Sequence, residues 1–498
     1  MTSIIAELNL NAIWLLPEIL ILTMGCLILV IDAYLPKDLR GLTYHLTQGT
    51  LIGTALLILA ASPSEKILAM NNMFVIDPMG AVLKLFIVLI VFVAFIYSRS
   101  YLRDRNFEKG EYFVLGLFAT LGMMVMVSAH SLLTLYLGLE LLSLSLYAMI
   151  AMHRESSQAS EAAMKYFVLG ALASGMLLYG MSILYGITGT LDLAELATAI
   201  SQNSDHQIFL VFGLVFIIIG LAFKMGAVPF HMWIPDVYQG APTSVTLFIA
   251  SAPKIAAFAM LMRLLVDGME SLHVGTLADG TESAYVGWQG ILILLAILSM
   301  ATGNIIAIAQ RNIKRMLAYS TIAHVGYLLL GVISANDAGY AASMFYVIVY
   351  TLMTLGAFAM IILLSRGGVE SDQLEDFKGL NQRNSWYAFL MLILMLSMAG
   401  LPPMIGFWAK WSVLAQVVQA GFVWLAVLAV LFAIIGVFYY LRVVWMMYFE
   451  KPKDLTPIEA SMDMRVALSA NALIILALGM MPQTLMAVCL QALGIGNA

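Results

Sequence analysis

Runs of about twenty apolar residues recur from one end of this chain to the other, each long enough to cross the hydrocarbon core of a bilayer as a helix. Hydrophobic residues make up 62% of the 498 positions and charged residues 11%. A water-soluble chain of this length would divide into roughly two to four domains with charged surfaces, so no soluble class fits. Backbone N–H and C=O groups find no partner in hydrocarbon, so every run is expected to be helical, and none alternates in the manner of a barrel strand. Fourteen candidate spans fall at roughly 11–35, 42–61, 73–98, 111–129, 131–152, 159–187, 207–230, 240–266, 287–309, 316–334, 339–365, 386–417, 422–448 and 464–484. The expected fold class is an all-α polytopic membrane protein.

Several functions are excluded by what accompanies the spans. Cys26 and Cys489 are the only cysteines, and no His/Cys cluster has metal-ligand spacing, which argues against a disulfide framework, a zinc site or an iron–sulfur site. No basic tract with interleaved aromatics suggests nucleic acid. The first apolar run lacks a basic leader and a small-residue cleavage site, so it reads as a retained helix rather than a signal peptide.

Orientation follows from the cations. Of the 24 Lys and Arg residues, sixteen lie in odd-numbered loops: Lys37, Arg40, Arg99, Arg103, Arg105, Lys109, Arg154, Arg311, Lys314, Arg315, Arg366, Lys378, Arg383, Lys451, Lys453 and Arg465. Even-numbered loops hold only Lys66. The positive-inside rule makes the odd loops cytoplasmic and, with fourteen spans, places both termini on the periplasmic side.

The other seven cations, Lys84, Lys165, Lys224, Lys254, Arg263, Lys410 and Arg442, fall inside spans. A cation at the bilayer centre costs a few kcal/mol on insertion scales, so its default reading is functional unless it can reach an interface. Lys165, Arg263 and Arg442 lie near span ends and are expected to snorkel. Lys84, Lys224, Lys254 and Lys410 are too deep for that, and Glu140 is the one acid at comparable depth. Burial disfavours the ammonium form and a nearby carboxylate favours it, so moving the partner switches such a lysine between protonation states. That is the chemistry of a proton relay.

Two of these lysines accompany helices that read as broken. Span seven carries Gly226 and Pro229 after Lys224, and span twelve carries Gly400, Pro402, Pro403 and Gly406 before Lys410. Interrupted helices at corresponding places in two halves of a chain point to an ion pathway. The breaks lie five spans apart, and a unit of five helices begins on opposite sides of the membrane in successive copies. The spacing therefore predicts two inverted five-helix repeats, 111–267 (spans four to eight) and 287–449 (spans nine to thirteen), preceded by 1–110 (spans one to three) and followed by 464–498 (span fourteen). Among the histidines, His231 follows the first break directly and His324 lies within span ten. Their imidazoles titrate near neutral pH and make them further relay candidates, although a lone His on an apolar face is more often structural.

The run from His231 through Trp233-Ile234-Pro235-Asp236-Val237-Tyr238-Gln239-Gly240-Ala241-Pro242-Thr243 to Thr246 resembles the signature of the antiporter-like subunits of respiratory NADH:quinone oxidoreductase, complex I. Ala252-Pro253-Lys254-Ile255-Ala256-Ala257, and Gly400-Leu401-Pro402-Pro403 through Gly406-Phe407 to Lys410, resemble the N-type members in particular. L- and M-type chains usually carry His at the place of Lys254, and M-type chains Glu at that of Lys410. Ser244, where proline is common, and Pro253 before Lys254 are small departures that leave the relay residues intact. The resemblance covers the whole chain. It implies that Glu140 and Lys224 control a first half-channel, that Lys254 and His231 form a central relay, that Lys410 belongs to a second half-channel, and that Lys165 is the family's sixth-helix lysine. Lys84 matches no motif. The resemblance further implies a bacterial inner-membrane location and a translocase whose partners are other membrane subunits, antiporter-like and small, set in lipid. It also implies that FMN, iron–sulfur clusters and quinone are bound elsewhere in the complex, in keeping with the lack of a Gly-rich nucleotide fingerprint here.

Two other readings stand beside it. A stand-alone or Mrp-like cation/proton antiporter shares the fold and the buried lysines. A non-transporting membrane scaffold must leave five mid-span charges without a role, against the cost of inserting each.

Overall fold

A computed structural model describes residues 11–36, 39, 41–63, 65–105, 110–203, 206–276, 282–283, 287–365, 369–452 and 456–495. Five of the loop cations used to orient the chain, Lys37, Arg40, Lys109, Arg366 and Lys453, lie outside these residues, as do both termini.

Thirteen helices among the described residues are long and apolar enough to cross a membrane, and a pair of shorter ones makes the fourteenth passage. Spans one to seven are Ala12–Tyr34, Gly41–Ala60, Pro78–Asp104, Gly110–Ser128, Leu132–Ala151, Ser157–Thr188 and Gln207–Met225. Thr243–Asp267, Trp288–Ala309, Ile313–Ile333 and Asp337–Leu364 are spans eight to eleven. Ser385–Ala399 with Ile405–Gln419 makes span twelve, and Val423–Phe449 and Met462–Met480 complete the set. Both expected breaks are present, Trp233–Gly240 forming the second half of span seven. A third break was not foreseen. Span eight stops at Ala250 and restarts at Ala252, with Ser251 at φ -108 and ψ -99 between them and Pro253 unable to donate within the restarted first turn.

Loops of like parity meet on one side of the molecule. On the even side, a hairpin of Ile67–Ala69 with Phe74–Ile76 abuts Ala129, the His130 N–H donates to the Met73 carbonyl at 3.0 Å, and the Leu193 N–H donates to the His130 carbonyl at 3.0 Å. On the odd side, the Ile313 N–H donates to the Asp372 carbonyl at 2.7 Å and the Leu374 N–H to the Arg311 carbonyl at 2.9 Å. Spans eight, ten and eleven are enclosed almost completely, whereas spans one, six, thirteen and fourteen turn large apolar side chains such as Val30, Leu172 and Ile434 outward. Groups on the enclosed helices therefore see protein rather than lipid. Close approach of spans four and five depends on glycine: a Cβ on Gly122 would lie 2.6 Å from the Leu142 nitrogen.

Three side chains depart from expectation. Arg263 does not snorkel; it is buried within a π-helical turn, Met262–Asp267, and is held by Asp77 at 2.7 Å and Asp267 at 2.9 Å. Burial alone would raise the Asp77 carboxyl, but the Arg263 guanidinium outweighs it and holds the group below the usual carboxylate range. Glu18 is a second buried acid, paired with Lys84 at 2.5 Å between spans one and three. Lys314, counted above as a loop residue, is buried in the first turn of span ten, where its ammonium donates to the Ala241 carbonyl at 2.7 Å. Arg442 is half-buried and donates to the Ile308 and Gln310 carbonyls, both at 2.7 Å, where span nine ends. Lys165 is partly exposed at the odd end of span six, where it pairs with Asp236.

Removing one partner of a buried pair strands the other, at a cost of about 3–5 kcal/mol. Arg263→Gln is expected to leave two carboxylates uncompensated and to lower the temperature at which the assembled protein dissociates, followed on native gels after stepwise heating; an unchanged profile would show that the pair contributes nothing.

Candidate functional site

Span seven stops where Gly226 takes φ +85, a left-handed conformation that side chains with a Cβ rarely adopt. The Gly226 and Ala227 N–H groups both turn back to the Ala222 carbonyl at 2.8 Å, which leaves the Met225 carbonyl without a helical donor. Lys254 supplies one: its ammonium, reaching across from span eight, donates to that carbonyl at 2.8 Å and lies 5.7 Å from the centre of the Trp233 ring. The Trp233 indole in turn donates to the Phe223 carbonyl at 2.9 Å.

Span twelve repeats the device. Gly400 takes φ +81, the Gly400 and Leu401 N–H groups both donate to the Leu396 carbonyl at 3.1 Å, and the Met398 and Ala399 carbonyls are left over. Lys410 donates to them at 3.3 and 2.8 Å and sits 5.2 Å from the centre of the Tyr327 ring. Met225 and Ala399 each immediately precede the left-handed glycine. The structural counterpart of Lys410 is thus Lys254, not Lys224, although sequence position alone pairs the lysines on the two broken helices.

Lys224 is buried one step before the first break, donating to the Ser143 hydroxyl at 3.1 Å and lying within electrostatic reach of both Glu140 and Lys254. It closes a cavity of about 10 Å³ bounded also by Tyr147, Tyr166 and Ser174, at the lower limit for one water molecule. Glu140 stands on the outward face of span five, between the exposed Leu137 and Leu144, with its Oε1 unpaired. A second cavity of about 10 Å³ joins Lys254 to His324, Tyr346 and Tyr350. The His324 Nδ1 is 2.7 Å from the Tyr346 hydroxyl and Nε2 is 3.1 Å from that of Tyr440, while Lys410 lies within electrostatic reach beyond.

Lys224, Lys254, His324 and Lys410 therefore form a row through the enclosed interior, with Glu140 at its outer end on the lipid-facing side of span five. His231 is not in it. The ring is partly buried beside the exposed Met232, its Nδ1 is buried without a hydrogen-bond partner, and it does not line the Lys254–His324 cavity. Lys165 is also apart, at an odd-side cavity of about 190 Å³ where it pairs with Glu161 at 2.7 Å and Asp236 at 2.8 Å, opposite Arg315. Sequence reasoning missed the tyrosines around His324, because a hydroxyl in an apolar run carries no signal until its neighbours are known. Among the described residues, no group of three His, Cys, Asp or Glu side chains is placed to hold a metal ion. An ammonium can give up its proton and a neutral amine can take one, so a row of such groups separated by water-sized voids can pass protons stepwise.

The family described as "NADH:quinone oxidoreductase/Mrp antiporter, TM" matches residues 129–436. NADH-quinone oxidoreductase subunit N of Thiobacillus denitrificans is 59% identical over 479 residues, 96% of this chain and 97% of that protein. A chain in the structure of respiratory complex I from Thermus thermophilus with bound aureothin is 31% identical, with a TM-score of 0.81, covering 95% of this chain and 99% of its own. A chain of the Mrp complex from Dietzia sp. DQ12-45-1b shares the fold at a TM-score of 0.83 and 20% identity, covering 97% of this chain and 96% of its own.

A Cβ on Gly400 would lie 2.8 Å from Cδ and 3.0 Å from Nζ of Lys410. Gly400→Ala, which also forces an alanine into a left-handed conformation at about 1–2 kcal/mol, is expected to displace the ammonium and depress proton translocation far more than it depresses the amount of protein in the membrane, measured side by side in vesicles and by immunoblot.

Proposed function

The chain belongs to the family of NADH-quinone oxidoreductase N subunits, and from that premise we propose how its own residues move protons. It is a proton-translocating membrane subunit of complex I, coupling electron transfer from NADH to quinone to proton movement, and it carries the antiporter-like fold. The observation that carries the proposal is the row of buried titratable groups, two of which cap broken helices. Glu140 biases the charge of Lys224 at the head of a first half-channel. Lys254 and His324 form the centre, and Lys410 leads to the second half-channel. His324 takes the central place that the sequence resemblance assigned to His231, because it shares a cavity with Lys254. Lys165, in contact with the odd-side cavity, tunes entry from that side through Asp236.

The matched αL stops at Gly226 and Gly400 support two inverted repeats, 111–267 and 287–449, as does the packing of spans nine and ten, where a Cβ on Gly303 would lie 2.5 Å from the Ala323 nitrogen much as Gly122 meets span five. Residues 1–110 and 464–498 flank them. The cofactors FMN, iron–sulfur clusters and quinone belong to other subunits, and the partners are the neighbouring antiporter-like and small membrane subunits. A stand-alone antiporter is the weaker reading, since the Mrp likeness extends to the fold alone. The location is a bacterial inner membrane with the odd loops cytoplasmic.

Lys224→Ala in the assembled complex should lower NADH-driven proton uptake into membrane vesicles and the coupled quinone reductase rate. Lys410→Arg should do the same although the charge is kept, because a guanidinium does not release its proton within a protein and an ammonium can. Normal pumping by both variants would reduce these lysines to structural counter-charges. Reporter domains fused at Ala498 should be active only when periplasmic; activity confined to the cytoplasm would reverse the sidedness of every half-channel.

A further inference from the structure

The row of lysines leaves a group of buried hydroxyls unused. Tyr350 donates to the Thr321 Oγ1 at 2.7 Å, its ring centroid is 4.9 Å from that of His324, and it lines the cavity shared with Lys254. Beyond Thr321 lies Tyr238, on the second half of span seven, close enough to Thr321 and Tyr350 to interact with both. The Tyr238 hydroxyl makes no well-formed hydrogen bond, and neither does that of Thr354 beside Tyr350. A serine or threonine hydroxyl that serves only packing in a membrane helix bonds the carbonyl one turn back, as Thr120 does with Gly116 at 2.7 Å. Two hydroxyls held only loosely by the bonded Thr321–Tyr350 pair have hydrogen-bonding capacity to spare, which internal water would take up.

A second polar group lies nearer the odd side. Lys314 precedes Thr321 by seven residues on the same helix face, about 10.5 Å along the axis. Its ammonium donates to the Ala241 carbonyl at 2.7 Å and lies 3.4 Å from the Thr243 Oγ1. The Thr243 hydroxyl donates to the Glu370 carboxylate at 2.6 Å, and that carboxylate, also bonded by the Tyr101 hydroxyl, is partly open to the odd face. Burial would raise the Glu370 carboxyl, but Lys314 and the hydroxyl donors outweigh it and keep the group below the usual range, so it remains an anion that draws protons to the mouth.

We infer that these two groups form a second proton inlet, leading from Glu370 past Tyr238, Thr321 and Tyr350 to the Lys254–His324 cavity without passing Lys224. It rests on the relay and the orientation proposed above. The transfer balances at each group: a hydronium on the mouth side gives a proton to the Tyr238 oxygen and is left as water, Tyr238 gives its own to Thr321, Thr321 releases the Leu317 carbonyl it now bonds at 2.9 Å and gives its proton to Tyr350, and Tyr350, its O–H turned from Thr321 to the cavity, gives its proton through water to the neutral Lys254 amine. No hydroxyl changes its proton count, and the net result is one proton carried inward.

The test compares four complexes in membrane vesicles: unmodified, Lys224→Ala, Tyr350→Phe and the double variant, scored as protons taken up per NADH oxidised. Tyr350→Phe keeps the ring against His324 and removes one oxygen. Lys224→Ala should retain part of this subunit's pumping, and adding Tyr350→Phe should at least halve what remains, with Tyr238→Phe giving the same loss. A double variant that pumps as well as Lys224→Ala, or a Lys224→Ala complex in which this subunit's pumping is wholly abolished, overturns the second inlet. Full pumping by Lys224→Ala overturns instead the role proposed for Lys224, and the inlet is then decided by Tyr350→Phe alone, where full pumping refutes it. Should the tyrosine variants fail to assemble, a cryo-EM map of the unmodified complex decides: water density bonded to the Tyr238 and Thr354 hydroxyls is expected, and its absence overturns the proposal.

Discussion

Hydrocarbon offers no partner to a carbonyl oxygen, so a helix interrupted inside a membrane must find its donors within the protein. That requirement organises the interior of this molecule. At the two helices interrupted by a left-handed glycine, the last carbonyl before that glycine is met by a lysine ammonium, from span eight at Met225 and from the continuation of span twelve at Ala399. The groups that repair the backbone are also titratable, which is what the proposed relay requires of them. The need for a dry, fixed donor explains why these lysines lie on or against the most enclosed helices, away from the lipid-facing spans.

An ammonium held by a carbonyl makes a charge-assisted bond, roughly twice as strong as the bond a neutral amine can make in its place. Proton loss at Lys254 or Lys410 therefore loosens a helix end without breaking it, since two N–H donors remain. The cavities beside Lys224 and Lys254 are near the size of one water, which makes hydration of each step sensitive to small movements of Tyr147, Tyr350 or the half-helices themselves.

Much of this arrangement was legible in the sequence because its signals are local. Span lengths follow from apolar runs, the breaks from Gly226 and Pro229 and from Gly400 through Pro403, and the depth of Lys224, Lys254 and Lys410 from their distance to span ends. What was not legible depends on partners distant in sequence. Arg263 looked able to reach an interface until Asp77 enclosed it, Lys314 looked like a loop residue until the elbow at Ala241 covered it, and the cavity beside Lys254 is lined by His324 rather than His231. Ser251 gave no warning of the third break, since the proline that removes the donor stands two residues later.

The Glu18–Lys84 pair bears on how the chain could be shortened. Both charges belong to the segment ahead of the five-helix units, and neither is needed to neutralise anything in the row of relay groups. A deletion that removes the first three spans takes acid and base together and leaves no stray charge from this pair. One that removes only the first span leaves an ammonium buried with its carboxylate gone. The same block removal takes Asp77 from Arg263 and leaves Asp267 as the carboxylate still paired with that guanidinium, so the first three spans are tied to the rest of the chain by charge at that point.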